Sequence, residues 1–241
     1  LCAFGEYVCR HWDEPDEGIW EPRTGRANHT HSRVLCWVAL DRLLHLHAQD
    51  HLRWAPAAKF QENRDAIRRQ VETRAWNPAL QSYVAQLDGD RLDATLLLLA
   101  WYGFEAAGSE RMRGTYRRIR ERLGARDGLL YRYHTGDSPG EGAFGVSSFW
   151  GAEYLALGGG TVDEARDLFE RLCGHANDVG LFAEEVDPTT GAALGNFPQA
   201  FTHVGLINAA LSLAHRLEGE APLERHLPPR REESEAGEAR V

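Results

Sequence analysis

Lysine is almost absent from this chain. Of 27 basic residues only Lys59 is a lysine and the rest are arginines. That bias reads as GC-rich coding rather than chemistry. Basic charge is also in deficit, with 27 Lys and Arg against 36 Asp and Glu, a formal net charge of −9. An acidic chain is a poor polyanion ligand, because nucleic-acid affinity rests on neutralising phosphates. No nucleic-acid partner is expected. Long hydrophobic runs are missing too. The longest, Ala94–Tyr102, is about half of what spans a bilayer. No membrane partner is expected and no signal peptide is recognisable, so the expected location is cytoplasmic.

Four cysteines, Cys2, Cys9, Cys36 and Cys173, follow no CxxC or zinc spacing and read as buried free thiols. His45 and His47 resemble a ligand pair, but on a helix positions i and i+2 point apart. No metal and no cofactor is expected. Serine lacks the GxSxG elbow, and Gly158–Gly160 lacks the GxGxxG pattern and a following Lys-Ser, which argues against a serine hydrolase and a phosphate loop. β-Branched alternating runs are scarce, so little sheet is expected.

What is present is helical periodicity, in 241 residues with 43% hydrophobic content. A chain of this length buries about 70% of its unfolded surface and needs no covalent staple. Apolar spacing of the i, i+3, i+4, i+7 kind predicts eight helices: about Leu1–Trp12, Thr30–Asp50, Ala57–Trp76, Leu92–Phe104, Ser109–Gly124, Ala143–Leu157, Val162–Ala176 and Gln199–Leu217. Asp90 or Asp93 would cap the fourth. Thr161 with Glu164 makes a capping box for the seventh. The chain opens on Leu1 inside an apolar pattern, which reads as a processed or cut start. The segment 218–241 holds seven Glu, four Arg and no aromatic, and is expected to be a disordered tail.

The connections alternate in length. Arg53–Pro56, Glu105–Gly108 and Gly158–Thr161 are short; Asp13–His29, Asn77–Arg91, Arg126–Gly142 and Asn177–Pro198 are long. That alternation predicts a ring of αα-hairpins with the long loops on one face. The apolar fourth, sixth and eighth helices would form the inner ring, and the Arg- and Glu-rich third and fifth the outer. Long loops in a compact domain usually carry function.

Those loops hold the carboxylates. The first has Asp13, Glu14, Asp16, Glu17 and Glu21, the last directly after Trp20; the fourth has Glu184, Glu185 and Asp187. Two carboxylates facing across a cleft are what glycoside hydrolysis needs, one protonated and one ionised. Trp20, Trp150, Phe182 and Phe197 nearby are natural walls for sugar rings.

Specific strings sharpen this. Pro15–Arg23, then Thr30-His31-Ser32 and Cys36–Arg42, then Tyr131-Arg132-Tyr133, Gly140–Phe144 and Ser147–Trp150, and finally Leu181–Pro188 with Gly195–His203 together resemble glycoside hydrolase family 15 across about residues 1–217. The resemblance implies an (α/α)6 toroid, all-α, of which eight of twelve helices are counted here. It implies inverting, metal-free, exo-acting hydrolysis of an α-glucosidic bond, releasing glucose from the non-reducing end of a small oligosaccharide or disaccharide. Trehalase activity of the same family, and a truncated non-catalytic remnant, are the alternatives. A related phosphorylase would need no base, so Glu184 argues against it.

The position matching the family's acid is Glu21, and that matching its base is Glu184. Arg132 matches an arginine that holds sugar hydroxyls, and Trp20, Arg23 and Glu185 would line the pocket. Other readings stay open. Glu21 as a solvated loop acid, Glu185 as the base, Arg132 merely paired with Asp137 or Glu141, and Trp150 as core are the alternatives; Asp187 reads as a turn residue. Pro22 stands where an aliphatic residue is usual. An incomplete ring would expose apolar helix flanks, which is a route to homo-oligomers.

Overall fold

The protein is seen in a computed structural model that describes residues 1–22, 25–133 and 141–219. Eight α-helices run through the described residues: α1 (Cys2–His11), α2 (Thr30–Ala48), α3 (Ala57–Arg74), α4 (Leu98–Trp101), α5 (Glu110–Leu123), α6 (Gly145–Tyr154), α7 (Val162–Cys173) and α8 (Ala200–Leu217). Local caps set several ends. The Ser109 side chain accepts from the Met112 amide at the start of α5. The Thr161 hydroxyl and the Glu164 carboxylate satisfy each other's amides at the start of α7.

Two expected helices begin later than the periodicity suggests. The fourth opens as a 3-10 turn, Ala94–Leu97, before α4. Asp93 is extended, caps that turn through the Thr95 amide, and forms a bridge with Tyr133. The sixth starts at Gly145, because Ala143 and Phe144 form a strand, β3. Pairing with another loop has overridden the helical pattern at both points.

α2 and α3 pack as an antiparallel hairpin, with Val34, Trp37 and Leu40 facing Phe60, Ile67 and Val71 in one buried core. α1 lies across both, and a Cβ on its Gly5 would fall 2.5 Å from the Phe60 ring. α6 is buried on nearly every side and packs on α7 and α8. The arginine-rich faces of α3 and α5 point outward. For α6 against α3 and α5 this is the inner and outer placement expected from their apolar and charged compositions.

The long loops meet one another in chain order. The first joins the second where Thr30 donates to the Ala85 carbonyl and His29 bridges Gln86. The second joins the third through Asp93 and Tyr133, and the Ala94 amide donates to the Arg132 carbonyl at 2.8 Å. The third joins the fourth in a small antiparallel sheet of β3 (Ala143–Phe144), β4 (Glu185–Val186) and β5 (Ala193–Leu194), with Phe144 opposite Glu185. A further hairpin pairs β1 (Trp76–Asn77) with β2 (Ser82–Tyr83), Trp76 opposite Tyr83.

At the chain's two ends apolar rows face solvent. On α1 they are Leu1, Phe4 and Tyr7, and on α8 Phe201, Val204, Ile207 and Leu211, between 48% and 74% exposed. α8 was expected as an inner helix, and its buried side, Ala209 and Leu213, is one half of such a helix. The four cysteines are free but half-buried rather than fully buried. No described helix is long and apolar enough to cross a membrane. From residue 220 the expected tail lies outside the described residues.

Candidate active site

Arg33 anchors the first long loop. It is buried on α2, and its guanidinium donates to the carbonyls of Trp12, Asp13 and Glu14 and to the Asn28 side chain. An arginine inside an apolar helix face is the sequence signal of this anchor. Further along, the Asp16 carboxylate accepts from the Gly18 amide and the Ser32 hydroxyl, and Asp16 bridges Ala27. Gly18 has φ +65 and rests on the His29 imidazole, where a Cβ would sit 3.0 Å from the ring. The loop is thus a closed excursion whose tip carries Trp20 and Glu21.

Glu21 has φ 46, in the left-handed region that residues with a Cβ rarely occupy. Such a conformation at a non-glycine residue is a pointer to function. Trp20 before it donates its indole N–H to Asp93 at 2.8 Å and meets Phe144 edge-on, with ring centroids 5.6 Å apart. Trp150 is half-buried, packs against the core and touches Trp20 at 6.0 Å.

Trp20, Glu21, His31, Asp93, Arg132 and Tyr133 line a cavity of about 580 Å³. Pockets of roughly 300–1,000 Å³ are the usual size for small-molecule ligands. Arg132 is held flat among aromatic faces, 5.4 Å from the Trp20 ring and 4.7 Å from those of Tyr133 and Phe144. It also meets Glu141 at 2.5 Å, a charge contact without the alignment of a hydrogen bond. Asp137, its other possible partner, lies outside the described residues, as does Arg23. His31 is buried, and desolvation pushes its imidazole down to about 4, with Asp16 opposing the shift.

Glu184 and Glu185 are not among the residues that line this cavity. Glu184 is pinned by its backbone, since its carbonyl accepts from the Gly145 amide and its amide donates to the Asn196 carbonyl, both at 2.9 Å. Its Oε2 accepts from the Asn196 amide at 2.9 Å and from the Asn196 side chain at 2.8 Å. Gly195, at φ +71, makes the close approach possible, because a Cβ there would lie 2.7 Å from that oxygen. Glu185 is different. Burial raises its carboxyl above the usual range, and the nearby Glu141 and Glu184 charges add to the rise. The Gly142 amide donates to its Oε2 at 2.7 Å and opposes the rise. Asp187 accepts from the Thr189 and Thr190 amides, the turn role expected of it.

A curved stack of αα-hairpins with acid-bearing loops along one face is the toroid architecture of glycosidases. A solved wild-type glycosidase superposes with a TM-score of 0.74 at 20% identity, covering 87% of this chain and 58% of that one. A family 15 glucoamylase from Hypocrea jecorina superposes at 0.68 with 12% identity, covering 91% and 46%. The sequence matches Glycosyl hydrolases family 15 over residues 2–158 and 159–211, and the chain belongs to that family. A trehalase from Mycolicibacterium smegmatis is 39% identical over 226 residues, 90% of this chain and 32% of that protein. One from Thermoplasma acidophilum is 38% identical over 205 residues, 84% and 35%. The chain spans about a third of the length of these relatives.

Proposed function

We propose that the protein acts as an inverting hydrolase of an α-glucosidic bond, with trehalose as substrate. Residues 1–217 would be its part of the catalytic toroid, with 218–241 a tail. The observation that carries this reading is the cavity that gathers Trp20, Glu21 and Arg132, with Glu21 in a left-handed backbone conformation. The trehalase likeness at 39% identity favours trehalose. A maltose-type linkage is favoured only by likeness in fold.

In this reading Glu21 gives its proton to the glycosidic oxygen as the C1–O bond breaks. Glu184 takes a proton from a water that attacks C1 from the opposite face of the ring. The two carboxyls of an inverting pair stand about 6.5–9.5 Å apart, leaving space for that water. The Asn196 amide and side chain both donate to Glu184 Oε2 and so fix the direction of the carboxylate that this reading makes the base. Glu185, whose carboxyl burial raises and whose Oε2 the Gly142 amide holds, is a supporting acid beside the base in this reading. Arg132, clamped by three aromatic rings, has the fixed fork of donors that sugar hydroxyls need, and Trp20 offers a face for the ring.

The test is proton NMR of the chain with trehalose, maltose and isomaltose. Inversion on trehalose releases one β-glucose and one α-glucose per turnover; retention would release two α-glucoses. Equal α and β products, lost in Glu21→Gln and in Glu184→Gln, are expected. Two α products, or full activity in Glu21→Gln, would overturn the proposal. Saccharide binding without turnover would favour the non-catalytic reading.

A further inference from the structure

We infer that Asp93 is a positioning residue for the acid Glu21, acting through the indole of Trp20. The inference rests on the proposed function, in which Glu21 is the acid. In sequence Asp93 stands only as a candidate helix cap. In the fold it does that and more, because its two oxygens serve two different elements. Oδ1 accepts from the Thr95 amide at 2.8 Å and the Thr95 hydroxyl at 2.7 Å. Oδ2 accepts from the Trp20 indole at 2.8 Å.

Asp93 is itself immobilised. Its backbone bridges Tyr133, the next amide, of Ala94, donates to the Arg132 carbonyl, and Thr95 holds its side chain. Residue 93 therefore joins the loop segment that carries Arg132 to the loop tip that carries Glu21. The other hydrogen bonds described at that tip stay within its own loop: the Gly18 amide to Asp16 and the Glu17 carboxylate with Arg26. Among the described residues the Trp20 indole N–H makes the side-chain hydrogen bond from 17–22 to another element, beside its ring contacts with Phe144, Trp150 and Arg132.

Trp20 and Glu21 are adjacent, and Glu21 occupies the narrow left-handed well. A shift of the Trp20 ring is thus passed to the direction of the Glu21 side chain, with little slack to absorb it. A displacement of about 1 Å in a catalytic group costs up to roughly 100-fold in rate. The Asp93 carboxyl is raised by burial, and its donors, the two from Thr95 and that from Trp20, oppose the rise.

The test uses two substrates that differ in need for an acid. Trehalose has a poor leaving group and requires a proton at the glycosidic oxygen. α-Glucosyl fluoride loses fluoride without that help. In Asp93→Asn the two Thr95 donors keep the single amide oxygen, and the indole faces an NH2 group. kcat/KM for trehalose is expected to fall roughly 10- to 100-fold while that for the fluoride falls by less than about threefold, the pattern of a misplaced general acid. The Trp20 indole proton, assigned in 15N spectra by its loss in Trp20→Phe, should shift and exchange faster.

Trp20→Phe removes the donor instead of the acceptor; because Trp20 also faces the sugar, kcat/KM should fall on both substrates, on trehalose by the larger factor. Adding Asp93→Asn to it should cost little more, since one interaction is removed once. An equal fall on both substrates, additive losses in the double variant, or an unmoved Trp20 indole overturns the inference. A wild-type chain that hydrolyses neither substrate refutes the proposed function instead, and the indole measurement still decides the Asp93 tie.

Discussion

Replacing Gly195 with Ala tests the base assignment at its tightest contact. The residue has φ +71, where an L side chain costs about 1–2 kcal/mol. A domain of this size loses roughly 2–4 °C of Tm per kcal/mol, so a fall of about 2–8 °C is expected. The added Cβ would stand 2.7 Å from Glu184 Oε2 and 3.0 Å from its Cβ. Contacts that short do not persist, and something must move. The Glu184 backbone is held by Gly145 on one side and Asn196 on the other, so the side chain is what yields. Swinging the carboxylate by about 1 Å breaks both Asn196 bonds and should lower kcat/KM by up to roughly 100-fold. The loss should be as large on α-glucosyl fluoride as on trehalose, because a good leaving group does not replace a base. The assay is kcat/KM on both substrates beside a thermal melt. A folded Gly195→Ala protein with undiminished activity would refute Glu184 as base and leave Glu185.

Other perturbations follow from the same structure. Thr161→Ala removes one half of the α7 capping box and should cost about 1 kcal/mol in chemical denaturation with activity intact; an unchanged midpoint would mean the cap contributes nothing. His31 is held neutral down to about 4, against 6.5 when unfolded. Below pH 6.5 the unfolded chain binds a proton that the fold refuses, so stability falls as pH drops from 6.5 towards 4, by at most about 1.4 kcal/mol per pH unit. Urea titrations of His31→Gln should show a shallower acid slope, and an unaltered slope would assign the loss elsewhere. Glutamate at both Val204 and Ile207, on the exposed row of α8, should shift Tm by less than about 2 °C and reduce concentration-dependent light scattering. Unfolding of that variant would show the row to be core.

Much of the helical frame is legible in the sequence because its causes are local. The 3.6-residue period marks α2, α3, α5, α7 and α8, and side chains three residues apart, Ser109 to Met112 and Thr161 to Glu164, fix where two of them start. The alternation of short and long connections reflects the hairpins, since a tight turn forces neighbours to pack antiparallel. Trp20, Glu21, Arg132 and the Glu184–Glu185 pair are visible as motifs because each sits in a short contiguous string. The fourth and sixth helices start later than their periodicity for the opposite reason. Their first residues pair with loops about 40 residues away, Asp93 with Tyr133 and Phe144 with Glu185.

What the sequence alone determined is therefore an acidic chain of about eight helices, with two acid-bearing loops in the order of one hydrolase family. Tertiary structure decided how each acid is held. Glu184 lies in the bend just before β4 and Glu185 in the strand itself, opposite Phe144, so the two adjacent acids have separate surroundings. One is held by Asn196, the other by Gly142. Arg132 found Glu141 and three aromatic rings, and Trp20 found Asp93 across 73 residues of chain. Periodicity and caps reach three or four residues, whereas these partners meet only when the long loops are stitched together. That is why the residues of the site could be named from the sequence, but not their neighbours.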